Sequence, residues 1–197
     1  MNIRGNQLFK ELFKSIKKRF DVEGVEDETL YSDMIEAINN MITAIELGRD
    51  DEAFVGIFLP KMNREFNEKY PAPAAVGIKN NCVTLFINPQ LLFMMCESYD
   101  DFLVVITHEI YHIVFKHLIP SRNYPNHDRT NIAMDTSVNQ YIKNITPNLA
   151  KQIYTLENFN NKFNVKAKPE MEFEYYYELI PDDFNNFDST LQNMLNE

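Results

Sequence analysis

The stretch HEIYHIVFKH, residues 108–117, holds three of the four histidines in this chain. His108 and His112 stand four apart, with Glu109 directly after the first. On a helix, residues i and i+4 lie nearly above one another. Two imidazoles at that spacing can point at one metal ion, with bonds of about 2.0–2.1 Å. Glu109 is turned by about 100° from His108, too far round to share the coordination easily. It can still reach a water on the metal and take its proton. The H-E-x-x-H spacing therefore predicts two zinc ligands, His108 and His112, and a general base, Glu109.

A catalytic zinc takes three protein ligands and keeps a fourth position for water. Two sources offer the third. His117 follows His112 by five residues. On a continuous helix it is rotated by about 140° from His112, so it is expected to face away and to sit at the helix end beside C-terminal carbonyls. The alternative is the segment TNIAMDTSVNQYI, where Asn131, Asp135 and Asn139 recur every fourth residue on an otherwise apolar helix. An inward polar stripe needs a partner, and Asp135 is its ionising member. Asp135 is the expected third ligand, with Asn131 and Asn139 expected to orient its surroundings. Tyr124, His127 and Tyr141 are candidate electrophiles by nearness in sequence alone.

The elements that must position these residues follow from pattern. Residues 5–20 carry Leu8, Leu12, Phe13, Ile16 and Phe20 at helical spacing, with a basic outer face read as solvated. Residues 28–47 predict a second helix, stopped at Gly48. AFVGIFL, residues 53–59, is rich in β-formers, and its type stays open. AAVGI and CVTLFI predict strands joined by a tight turn at Lys79-Asn80-Asn81. Pro89 starts a helix at its first turn. Ser98 or Asp100 caps the next helix, expected over 100–118. Further helices are expected over 129–144 and 170–180, with a loop-rich, Asn-rich stretch between them. The order predicts an α+β chain rather than a parallel α/β repeat.

The bulk numbers narrow the function. Net charge is −10 over 197 residues, which argues against nucleic acid or an anionic membrane as partner. Cys82 and Cys96 form no CxxC and no disulfide framework, and both are expected to be buried apolar residues in a reducing compartment. The N-terminus has no signal-peptide pattern and no run reaches the ~18 apolar residues of a span. A cytoplasmic protein is expected.

The ordered set INPQLL, ITHEIYHIVFKH, NIAMDTSVNQYI and EFEYYYELI resembles the metallopeptidase-type domain often found in front of a von Willebrand-A-like domain in bacteria and phages. The resemblance covers roughly residues 53–180. It implies a zincin-like fold and one zinc per chain, and carries His108, Glu109, His112 and Asp135 across by position. It does not carry the role of the following domain, since 17 residues remain after Ile180. The expectation is thus an α+β, zincin-like fold: a small twisted sheet from 53–87 packed on the HExxH helix, with helical N-terminal and C-terminal parts. CVTLFI is its expected edge strand, ready to bind an extended peptide. Residues 1–50 form a helical segment, 51–182 the metallopeptidase domain and 183–197 a tail. The expected function is zinc-dependent hydrolysis of a peptide or protein substrate. A zincin-like protein-binding module without catalysis, or a zinc hydrolase of a non-peptide bond, stands beside it.

Overall fold

The computed structural model describes residues 3–23, 28–47, 53–118 and 124–184. Its contacts divide the chain into two units, Met1–Ile110 and Tyr111–Glu197. Among the described residues it is an α+β arrangement of helices and one three-stranded mixed sheet.

In the first unit, α1 (Ile3–Glu23) packs on α2 (Glu28–Leu47). The stripe on α2 is as periodicity demands: Leu30, Met34, Ile38, Met41, Ile42 and Ile45 are buried. On α1, only Phe13 and Ile16 of the expected apolar set are fully buried, and Leu8 is exposed. The basic face of α1 is not simply solvated. Lys10 pairs with Asp100 at 2.8 Å, Arg19 pairs with Asp33, and Lys17 donates to the Phe93 carbonyl at 2.7 Å.

AFVGIFL resolves as α3 (Ala53–Phe58) followed by a 3-10 turn over Leu59–Lys61. Gly56 lets α3 approach α2 closely, since a Cβ there would lie 2.7 Å from the Ile45 carbonyl. Such close backbone approach is a use only glycine serves. The sheet therefore begins later than expected, at β1 (Asn63–Phe66), followed by β2 (Ala74–Lys79) and β3 (Cys82–Ile87). β1 carries no apolar alternation. It is held by parallel pairing with β3, and Arg64 bonds Glu46 and Asn39 of α2.

The hairpin forms where the sequence places it. Lys79 pairs with Cys82, leaving Asn80 and Asn81 as a two-residue turn at φ 52° and 62°. Two left-handed residues make the turn whose twist suits a hairpin, and asparagine tolerates them. The strand order is β1-β3-β2. This corrects the expected edge: CVTLFI is the central strand, with Thr84, Leu85 and Ile87 buried. Cys82, beside the turn, is exposed rather than buried, while Cys96 is buried as expected and its thiol is pushed up by desolvation.

Asn88 joins sheet to helix. Its side chain accepts from the Gln90 and Leu91 amides, capping α4 (Pro89–Met95), and donates to the Glu68 and Tyr70 carbonyls at 2.8 Å each. Ser98 rather than Asp100 caps α5 (Tyr99–Val114), accepting from the Asp101 amide at 3.1 Å. The buried Asp101 carboxylate accepts in turn from the Glu97 amide at 2.7 Å.

The second unit is built around α6 (His127–Asn139), α7 (Leu156–Phe163) and α8 (Phe173–Leu179). Ile132, Ala133, Phe159, Tyr176, Tyr177 and Ile180 form its core. Arg129 lies over the Tyr177 ring at 4.1 Å and donates to the Tyr177 carbonyl at 2.9 Å, fastening α6 to α8. α7 falls in the stretch expected as loop. Thr155 caps it and Asn164 ends it in the left-handed region. Gly48, residues 119–123 of the interhelix loop and the tail beyond 184 lie outside the described residues.

Candidate metal centre

Helix α5 sets the first two groups. Its apolar residues Phe102, Val105, Ile106 and Ile110 are buried, which fixes the rotation of the helix and leaves His108 and His112 half-buried one turn apart. Helix α6 sets the third. Ile132, Ala133 and Val138 are buried and Asp135 is half-buried. The His112 Nε2 atom lies 3.2 Å from the Asp135 carboxylate.

His108, His112 and Asp135 each offer one ligand atom, and the three atoms lie within 4.8 Å of one another. A tetrahedral ion with bonds of about 2.05 Å separates its ligand atoms by about 3.3 Å. The His112–Asp135 separation already matches that figure, and the group as a whole needs only a modest contraction. Two imidazoles and one carboxylate are a donor set suited to zinc. Residues this far apart in sequence, selected by spacing, are thus brought together. Glu109, the expected base, is 7% exposed on the same helix.

His117 is not where continuous-helix geometry puts it. α5 ends at Val114, four residues before the expected 118. The His117 amide then donates to the His112 carbonyl at 2.8 Å and the Lys116 amide to the Ile113 carbonyl at 3.0 Å. Lys116 is left-handed, at φ 62°. This is a Schellman ending, and it turns the chain back over the helix. The His117 ring is buried, 5.9 Å from Phe115 and 5.4 Å from Phe173 between centroids. Its Nδ1 lies 3.0 Å from the Nδ1 of His112. His117 therefore does not face away, and it stands outside the group of three. Glycine is the usual residue at such an ending, so Lys116 gave no signal in sequence.

The remaining expectations separate. Asn131 is exposed, whereas Asn139 is buried and donates to the Tyr154 carbonyl at 3.1 Å. The stripe is thus graded from solvent to interior, and Asn139 anchors a loop. Tyr124 packs edge-on against Phe173 and Tyr177, and Tyr141 lies tilted against Phe115. Both phenols are held above their ordinary value, chiefly by desolvation and then by neighbouring glutamates, Glu174 and Glu178 for Tyr124 and Glu170 for Tyr141. His127 is exposed at the start of α6. It is about 12 Å along the helix from Asp135 at 1.5 Å per residue.

No protein-family model, curated protein or solved structure matches this chain. Among the described residues, no helix is long and apolar enough to cross a membrane.

Proposed function

We propose that this protein is a zinc-dependent hydrolase of peptide bonds, with a zincin-like arrangement of strand, HExxH helix and second ligand-bearing helix. The observation that carries the reading is that one ligand atom each of His108, His112 and Asp135 lie within 4.8 Å of one another, with a buried glutamate directly after the first histidine. His108 and His112 would hold the ion as neutral imidazoles, and Asp135 would supply the negative charge. When bound, zinc acidifies its water and polarises the scissile carbonyl. Glu109 accepts the proton of the attacking water and passes it to the leaving amine. The resemblance to the metallopeptidase-type domain supports a peptide as substrate.

Elemental analysis of purified protein after zinc reconstitution tests the centre. About one zinc per chain is expected, falling sharply in Asp135→Ala. A protein that takes up no zinc, or an Asp135→Ala variant that keeps it, overturns the ligand set.

A further inference from the structure

We propose that His117 is a positioning residue for the metal centre: it accepts a hydrogen bond from Nδ1–H of His112 and so presents the Nε2 lone pair of His112 to the ion. The inference rests on the metal reading above and deepens it. Its ground is that the two nitrogens of one ring are engaged on opposite sides. Nε2 of His112 faces Asp135 at 3.2 Å, and Nδ1 faces Nδ1 of His117 at 3.0 Å. At 3.0 Å between two ring nitrogens, one must donate and the other accept. An imidazole that binds a metal through Nε2 has its lone pair there, and its proton on Nδ1. His112 must then be the donor and His117 the acceptor, with the proton of His117 on Nε2.

The local backbone is shaped for this contact. Without the Schellman ending the helix would carry His117 round to another face. The left-handed Lys116, at φ 62°, brings it back. A non-glycine side chain in that region is strained. The ring then lies buried against Phe115 and Phe173, where its orientation is fixed by packing. Metal-binding histidines usually donate their other ring nitrogen to a fixed acceptor, and loss of that acceptor typically weakens metal binding about 10–100-fold.

Two substitutions separate hydrogen bonding from packing. His117→Phe keeps a buried ring and removes the acceptor. His117→Asn keeps an acceptor oxygen near the Nδ1 position and removes the ring. Zinc affinity is measured by competition with a chelating dye, on variants whose fold is checked by circular dichroism. About a 10–100-fold loss is expected for His117→Phe, with most of it recovered in His117→Asn. The reverse order, or a His117→Phe variant that binds zinc as the wild type does, overturns the proposal while leaving the centre intact. A wild type that binds no zinc overturns the centre, and this inference with it. Should the variants fail to fold, long-range ¹H–¹⁵N NMR of histidine-labelled wild type with zinc decides. A proton on Nδ1 of His112 and on Nε2 of His117 is expected. A His117 nitrogen shifted by direct zinc binding, or one protonated at Nδ1, would refute it.

Discussion

Glu109 is the residue on which a catalytic reading turns. It is buried beside a histidine of the ligand group, where a carboxylate loses most of its water and is costly without polar partners. Replacement by glutamine keeps the shape and removes the basicity. Glu109→Gln is therefore expected to keep zinc near one per chain and to lower hydrolysis of a cleaved peptide by about 10²–10⁴-fold. Zinc content and turnover measured on the same sample check both halves, and an active Glu109→Gln enzyme would remove Glu109 from the role. That His108, His112 and Asp135 lie near one another was legible from spacing, because helical periodicity decides which side chains share a face. His117 was misplaced because that same rule was extended past the last helical residue. The chain stops being periodic at Lys116, and nothing about a lysine announces a left-handed residue.

At the scale of elements, legibility follows how much of each element's stability is local. The α2 stripe and the Asn80-Asn81 hairpin were readable because periodicity and turn chemistry act within a few residues. β1 was not, since NREF owes its place to pairing with β3 and to Glu46 and Asn39 of α2. AFVGIFL became helix because Gly56 fits under the Ile45 carbonyl, a tertiary fact that overrides β-propensity. Two predictions belong here. Lys116→Gly relieves the left-handed strain at the end of α5 and should raise stability by about 0.5–1 kcal/mol in urea unfolding; a destabilised variant would contradict the Schellman ending. The loop after β1 carries a titrating contact as well. The Tyr70 hydroxyl bonds Glu65, and that bond pushes its pKa up from 10.0 to about 12. The folded state thus holds this proton more tightly than the unfolded chain. The contribution is whole below pH 10 and is lost as pH rises through about 12. Between those values stability should fall less steeply in Tyr70→Phe than in wild type. Parallel slopes would show that the contact adds nothing.

For the molecule as a whole, a bound metal is a stability term, because a centre made of groups so far apart in sequence does not exist in the unfolded chain. An ion that binds only the folded state adds RT ln(1 + [L]/Kd), about 2.7 kcal/mol at a hundredfold excess over Kd. In a chain of this size each kcal/mol moves the melting temperature by about 2–4 °C. Zinc at that excess should therefore raise it by roughly 5–10 °C, and a chelator should return it to the metal-free value. Magnesium should do nothing at the same concentration, since it prefers oxygen ligands held octahedrally and keeps its waters. The Asp135→Ala variant sorts specific from general effects. Removing a ligand costs more than removing an outer partner, so its zinc-dependent shift should nearly vanish while its metal-free melting temperature stays close to wild type, Asp135 being only half-buried. Equal shifts in the two proteins would mean that zinc binds elsewhere on a surface of net charge −10. A shift confined to wild type would tie the stabilising ion to the Asp135 carboxylate.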